Sequence, residues 1–200
     1  FLFSGMKEHI DIFLPRTDKR QAEKLKAELL TSTLVQNVWL VDGMRSSESL
    51  YAIASQSASP YVALVVKDAS LEVGQGALER MVQVADDSGA MMVYADHYEK
   101  KEVDGEWKTE KHPAIDYQLG SVRDDFDFGS VVMFRASTLR KYVEEFPNTN
   151  YKYSGLYDLQ LFCLRRKRQA ALFHIREYLY TEEELDLRTS GEKQFDYVND

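Results

Sequence analysis

The amino-acid sequence predicts an α/β protein in which helices cover both faces of a mostly parallel, doubly wound sheet. Apolar runs of strand length alternate with segments of helical period along the first half of the chain, and this order is typical of parallel strands joined by crossover helices. The runs are nearly continuous in apolar residues, as in strands covered on both faces. Two hundred residues, 44% of them hydrophobic, suffice for one domain with an ordinary core.

Each strand predicted in the first half is followed by a helix. Residues 10–14 form an apolar strand that Pro15 ends, and either Thr17 or Asp18 can cap the helix that follows. Further strands are predicted at residues 35–41, 61–66 and 90–94, and helices through residues 22–30, 47–56 and 77–88.

The second half of the chain follows a different pattern. Asp104-Gly105 is a turn signal between two polar strands within residues 98–111, which predicts a hairpin. Residues 112–129 are expected to form a long loop, of a kind that is usually functional or mobile. After it we predict a strand at residues 130–134, helices at 138–146 and 156–166, and a last strand at 170–180.

The domain boundaries follow from the two ends of the sequence. We predict a single domain over residues 6–190. Residues 1–5 precede Met6, the expected natural start, and are interpreted as a remnant of cloning. Residues 191–200 form a polar tail without a closing signal, so we expect the natural protein to continue beyond it.

Charge and composition disfavour several classes of protein. With 33 acidic and 25 basic residues the formal net charge is -8, which argues against a nucleic-acid or membrane surface because both partners are anionic. The sequence contains no run of about 18 apolar residues, so we predict no transmembrane helix. The single Cys163 excludes an internal disulfide, and its apolar neighbours predict a buried thiol. We expect a cytoplasmic protein.

Two aspartates that follow predicted strands indicate where a ligand binds. Asp42 comes after the strand at residues 35–41, and Asp68 after the strand at residues 61–66. In open α/β sheets, ligands bind at the carboxyl ends of the strands, where an aspartate can hold a metal on a diphosphate. A nucleotide-sugar site is the leading hypothesis. The alternative is that Asp42-Gly43 makes a turn and caps the next helix.

Several motifs in a fixed order carry a resemblance to a known family. Pro15 ends the opening strand, Asp42-Gly43 belongs to a strand–Asp–Asp/Gly–x–Ser motif, and residues 60–81 form a strand, an acidic motif and a helix. Later motifs are Val-Tyr-Ala-Asp at residues 93–96, Ser-Val-Val-Met-Phe-Arg at 130–135 and Glu-Tyr-Leu-Tyr at 177–180. In this order and spacing the chain resembles a family 2 glycosyltransferase of the GT-A fold, from about residue 10 to about residue 190.

The resemblance implies a Rossmann-like GT-A domain. Its residues 6–97 would be the nucleotide-binding half, and residues 98–190 a smaller, mixed half on the acceptor side. The implied donor is a nucleoside-diphosphate sugar, first of all a UDP-sugar, and the implied reaction is an inverting transfer in polysaccharide synthesis to a saccharide or lipid-linked acceptor. The residues implied near the base and ribose are Pro15, Arg16, Asp42 and Gly43.

The acidic motif departs from the family pattern. The family has Asp-x-Asp where this chain has Val66-Lys67-Asp68, so one carboxylate is left. Asp68 can still hold Mn²⁺ or Mg²⁺ together with diphosphate oxygens and water. Alternatively, Lys67 neutralises phosphate charge as a point cation. In a third interpretation both are exposed loop residues of a protein that has lost catalysis.

The general base is the second departure. Inverting members of the family place an acidic pair before an aromatic-Asp-Leu helix, and Gly155 and Leu156 take those positions here. The remaining carboxylate is Asp158, which must lie within hydrogen-bond reach of the acceptor proton if it is the base. Otherwise it is a first-turn aspartate favoured by the helix dipole. The reserve candidates in the preceding loop are Asp124, Asp125 and Asp127.

A non-catalytic GT-A-like module that binds a nucleotide sugar or a partner is the rival hypothesis. Val66 and the Gly155-Leu156 pair favour it, because they stand where the family has carboxylates. A nucleotidyltransferase of related fold is less favoured, since residues 15–18 lack the glycines of its Gly-rich loop.

Overall fold

A mixed sheet with helices on both faces is built by residues 9–16, 18–118 and 126–183, the part of the chain that the computed structural model describes. The strands are β1 (Ile10–Pro15), β2 (Val35–Val41), β3 (Tyr61–Val65), β4 (Leu71–Val73), β5 (Met92–Val103), β6 (Glu106–His112), β7 (Val131–Arg135) and β8 (Leu172–Glu183). The helices are α1 (Lys19–Leu29), α2 (Ser47–Gln56), α3 (Ala77–Ser88), α4 (Ala136–Glu145) and α5 (Gly155–Lys167).

The sheet has the strand order β2-β1-β3-β7-β5-β8-β4, and β6 pairs with β5 outside this path. Five strands, β2, β1, β3, β5 and β8, run in the same direction, which confirms the mostly parallel sheet. β7 is inserted antiparallel between β3 and β5, and β4 is antiparallel to β8. The carboxyl ends of β1, β2 and β3 therefore meet at one edge of the sheet.

Two apolar clusters, one on each face of the sheet, form the core. In β1, Ile12 and Leu14 belong to the cluster packed with α1 and α3, whereas Phe13 belongs to the cluster packed with α2, α4 and α5. The three side chains are at most 2% exposed, and their alternation follows from the two-residue period of a strand. Both faces are covered, as the apolar strands predicted.

The helix starts near the strand ends are fixed by side-chain caps. Asp18 accepts hydrogen bonds from the backbone of Arg20 and Gln21 and caps α1, which confirms one of the two predicted caps; Thr17 lies outside the described residues. Ser46 caps α2 through the backbone N–H of Ser49. The alternative that Asp42-Gly43 caps this helix is therefore wrong, because the hydroxyl of Ser46 accepts that hydrogen bond.

The second half differs from the prediction in the lengths of its strands. The hairpin turn at Asp104-Gly105 is confirmed, and both residues have positive φ. The strand expected at residues 90–94 continues to Val103, because β6 and β8 keep its backbone paired. In the first half, the three-residue strand β4 was not predicted.

The buried thiol, a prediction from composition, is confirmed in the described part of the chain. No helix there has the length and apolar character that crossing a bilayer requires. Cys163 is fully buried, and burial raises the pKa of its thiol to about 12.

Candidate functional site

Two of the predicted nucleotide-binding residues meet at the carboxyl edge of the sheet. Pro15 and Val41 are paired in β1 and β2, so the residues that follow them are neighbours. Arg16 Nη1 lies 3.4 Å from Asp42 Oδ2, and Arg16 Nη2 donates to the backbone oxygen of Leu40 at 3.1 Å. The side chains of Arg16 and Asp42 are 53% and 77% exposed. Both charged groups are therefore held at the strand ends and open to a ligand.

The loop between β2 and α2 gives the same edge its shape. Gly43 has a φ of 61°, which is unfavourable for residues with a Cβ. Asp42 accepts a hydrogen bond on its backbone oxygen from the Ser49 hydroxyl at 2.7 Å. The Asp42 carboxylate is thus free of the turn and points outward with its charge balanced by Arg16.

A groove beside these residues contains the predicted metal ligand. It has a volume of about 530 Å³ and lies between α1 and the carboxyl end of β3, with Pro15, Asp68, Gln21 and Lys24 among its lining residues. Small-molecule sites typically measure roughly 300–1,000 Å³. Asp68 is exposed, so the structure brings Pro15 and Asp68 to one concave surface.

Lys67 is engaged inside the protein rather than free at the surface. Its Nζ donates to Asp127 Oδ2 at 2.8 Å and to Glu182 Oε1 at 3.3 Å, and its side chain is 18% exposed. Burial opposes the charge of Lys67, but the two carboxylates outweigh burial and raise the pKa of the ammonium above its ordinary value. The positive charge of Lys67 is already balanced by two protein carboxylates.

Glu182 is the buried member of this cluster. Its side chain is 5% exposed, and His97 Nε2 lies 3.2 Å from Oε1. Burial alone would raise the pKa of Glu182, but the His97 imidazole and the Lys67 charge lower it to about 2. The imidazole of His97 is stacked between the rings of Tyr180 and His112, with centroid distances of 5.0 and 4.7 Å. Glu182 is therefore ionised and rigidly placed.

The segment before β7, residues 126–130, is hydrogen-bonded to the residues around Lys67 and Glu182. Asp127 Oδ1 accepts the backbone N–H of Gly129 at 2.8 Å, and the Tyr180 hydroxyl accepts the backbone N–H of Ser130 at 2.9 Å. Gly129 has a φ of 80°, and a Cβ there would overlap the Tyr180 hydroxyl. Only glycine allows the backbone at position 129 to come this close to the Tyr180 hydroxyl. The segment held in this way carries Asp127, which contacts Lys67.

A second, smaller cavity of about 40 Å³ lies on the other face of the end of β3. Its polar lining groups are Arg45, Asp127, Tyr157 and Gln160, and Val66 forms part of its wall. Among the residues that the structure describes, the Arg45 guanidinium has no ion pair or hydrogen bond. A half-buried arginine of this kind is a donor for an anionic ligand. The sequence prediction missed Arg45, although it lies within the motif that holds Asp42.

Asp158, predicted as the base, contacts the helix layer. Its Oδ2 accepts a hydrogen bond from the Tyr142 hydroxyl of α4 at 2.8 Å, and it is not among the residues lining either cavity described above. Asp127, one of the reserve candidates, does line the smaller cavity. The other two, Asp124 and Asp125, lie outside the described residues.

Packing explains why Gly155 stands where the family has an acidic residue. A Cβ on Gly155 would lie 2.8 Å from the Arg45 backbone oxygen and 2.7 Å from the Ser47 backbone nitrogen. Leu156 donates its backbone N–H to the same Arg45 oxygen at 3.1 Å. The start of α5 therefore packs directly on the backbone before α2, and a side chain at position 155 has no room.

The residues at the end of β3 do not form a preassembled site for a divalent cation. Val66 has no side-chain oxygen, Asp68 is a single exposed carboxylate, and the carboxylates of Asp127 and Glu182 face the Lys67 ammonium. Within residues 9–16, 18–118 and 126–183 no three acidic, His or Cys side chains form a group that could hold a metal. Binding of Mn²⁺ or Mg²⁺ by Asp68 stays a prediction.

The sequence matches no family model and no curated protein. Solved structures match it over most of its length, and the strand order together with these matches defines a GT-A-like α/β fold. Three similar structures are of S. aureus TarS residues 1–349. The TarS structure has a TM-score of 0.50 at 10% sequence identity, its complex with UDP a TM-score of 0.51 at 12%, and its complex with UDP-GlcNAc a TM-score of 0.50 at 13%.

The chain and these structures differ in length. The three matches cover 96%, 95% and 89% of this chain, and 71%, 64% and 59% of the TarS chains. At 10–13% identity the likeness shows the fold. Membership of family 2 stays a prediction.

Proposed function

We propose that this domain binds a nucleoside-diphosphate sugar at the carboxyl edge of its sheet and transfers the sugar to an acceptor hydroxyl. The observation that carries this proposal is the Arg16–Asp42 pair, which is exposed at two adjacent strand ends of a GT-A-like fold. Exposed, oppositely charged groups at this edge suit a ligand with both hydrogen-bond donors and a charged diphosphate. The groove that Pro15 and Asp68 line provides room beside them.

The chemistry of these groups supports a nucleoside-diphosphate donor. The Asp42 carboxylate accepts hydrogen bonds from a base N–H or a ribose hydroxyl, and the Arg16 guanidinium donates to carbonyl or phosphate oxygens. Two of the similar TarS structures contain UDP and UDP-GlcNAc. Uridine nucleotides are therefore the first ligands to test.

The proposed transfer is a single displacement with inversion. The acceptor oxygen attacks the anomeric carbon, the bond from that carbon to the diphosphate oxygen breaks, and a carboxylate takes the hydroxyl proton. Asp158 is the base that the sequence predicts. Asp127 is the alternative because it lines the cavity that contains Arg45. The leaving diphosphate gains charge, which positive groups at the strand ends would stabilise.

A non-catalytic nucleotide-sugar-binding module is the second candidate function. It is favoured by the packing of Gly155 on the backbone of Arg45 and Ser47, which leaves no room for the family's acidic residue. Binding without turnover would distinguish it from the enzyme.

The experiment is a thermal-shift titration with UDP, UDP-GlcNAc and GDP, followed by a transfer assay with any nucleotide sugar that binds. A ligand at 100 times its Kd stabilises the native state by about 2.7 kcal/mol. Asp42→Asn should abolish the shift, whereas Asp87→Asn, a control on an exposed carboxylate of α3, should keep it. The absence of a shift with every nucleotide would contradict the proposal.

A further inference from the structure

We propose that the ammonium of Lys67 takes the place of the divalent cation that the family resemblance predicts, so that the donor binds without a metal. This inference rests on the proposed function. It concerns the end of β3, where the carboxylates of Asp127 and Glu182 converge on one positive charge that belongs to the chain itself.

The geometry around Lys67 is that of a bound cation. Asp127 comes from the segment before β7 and Glu182 from the end of β8, and each places one oxygen within 3.3 Å of Nζ. They are 60 and 115 residues from Lys67 in the chain, so the fold assembles this group from three separate segments. Converging carboxylates from separate segments also make metal sites, but here the ammonium occupies the centre.

A divalent cation at this point would have to displace Lys67. The ammonium is 18% exposed and contacts both carboxylates, and bringing a second positive charge next to it is repulsive. The high pKa of Lys67 agrees with a charge that the protein retains. Asp68 remains as one exposed carboxylate apart from the two that contact Lys67. A divalent cation on Asp68 would take its other ligands from phosphate oxygens and water.

The diphosphate charge is then balanced by arginines. Arg45 is unpaired within the described residues and lines the cavity that Val66 and Asp127 share. Arg16 lies at the end of β1 with its guanidinium half exposed. Guanidinium groups bind phosphate oxygens through two parallel hydrogen bonds and need no metal to do so.

The test compares UDP binding by calorimetry in EDTA and in Mn²⁺. We expect the two Kd values to agree within about twofold, and Arg45→Gln to weaken binding at least about tenfold in both buffers. Arg140→Gln is the matched control, because Arg140 contacts the backbone at the opposite end of α2. Tightening of the wild-type Kd by about tenfold or more in Mn²⁺, lost in Asp68→Asn, would overturn the inference.

A second comparison tests the metal question without nucleotide. Lys67→Met leaves Asp127 and Glu182 facing each other without their cation, so Mn²⁺ should raise the Tm of this variant and leave that of the wild type unchanged. A rise in the wild-type Tm contradicts the inference. If UDP fails to bind in both buffers, the proposed function fails, and this nucleotide-free comparison still decides whether Lys67 excludes the metal.

Discussion

The Asp158 carboxylate accepts a hydrogen bond from the buried Tyr142 hydroxyl at 2.8 Å and so joins α5 to α4. Burial, followed by this acceptor, raises the pKa of Tyr142 above its ordinary value. A residue proposed from its position in a motif as a catalytic base therefore has a structural contact of its own. Stability and turnover have to be measured separately to assign its role.

We expect Asp158→Ala and Tyr142→Phe each to lower the free energy of unfolding by about 1 kcal/mol, the usual net value of one hydrogen bond. Because the two groups share that bond, the double variant should lose less than the sum. Urea unfolding measures the three values, and UDP affinity should be unchanged in Asp158→Ala. Full additivity would show that the contact contributes nothing to stability.

Replacing Gly129 should lower the free energy of unfolding, because a Cβ at this position would overlap the Tyr180 hydroxyl. In Gly129→Ala the new Cβ is strained by the positive φ and overlaps the Tyr180 hydroxyl. We therefore expect the free energy of unfolding to fall by roughly 2–4 kcal/mol. Gly105 has a nearly identical φ of 79° with open space around it, so Gly105→Ala should lose only about 1 kcal/mol. Equal losses in the two variants would contradict the close approach of Tyr180 to the segment before β7.

Because Glu182 is ionised in the folded protein, the free energy of unfolding should depend on pH in the acid range. Its folded pKa of about 2 is below the ordinary 4.5, so its contribution is complete above about pH 4.5 and decreases as pH falls toward 2. The shift corresponds to at most about 3 kcal/mol. Urea unfolding of Glu182→Gln should differ most from wild type at neutral pH, and the difference should shrink through that window.

Glu183→Gln provides the control for this measurement. Glu183 follows Glu182 in β8 but has no side-chain partner among the described residues, so its replacement should leave the pH profile unchanged. A constant difference between Glu182→Gln and wild type from neutral pH down to pH 2 would contradict the ion pair between Glu182 and Lys67.

An acidic residue at position 155 should destabilise the domain and should not increase transfer. Gly155→Glu would place a side chain against the backbone of Arg45 and Ser47. We expect the free energy of unfolding to fall by at least about 3 kcal/mol. Gly155→Ala carries no charge and should already destabilise the domain, because the conflict begins at Cβ. A stable Gly155→Glu variant with increased transfer would show that the start of α5 can move.

The sequence predicted the elements that have a strong hydrophobic period. The family resemblance implied that Arg16 and Asp42 both lie near the nucleotide, and the structure makes them neighbours because β1 and β2 are adjacent parallel strands that end at the same edge. The helices were found because their apolar stripes are regular. Their observed bounds differ by a few residues from those predicted.

Other features depend on contacts that no local pattern encodes. A short, mostly apolar strand such as β7 does not reveal whether its neighbours are parallel or antiparallel. The partners of Lys67 lie 60 and 115 residues away, so its neutralisation could not be read from Val66-Lys67-Asp68. Gly155 is explained only by the backbone it touches.

The donor site is tested most directly by an NMR titration of the ¹⁵N-labelled domain with UDP. We predict that the largest shifts occur at the backbone amides of Arg16, Asp42 and Gly43, and at the Arg45 guanidinium. Asp42→Asn should remove them at the same UDP concentration. No shift at these strand ends, or shifts confined to the β5–β6 hairpin, would contradict nucleotide binding at the carboxyl edge of the sheet.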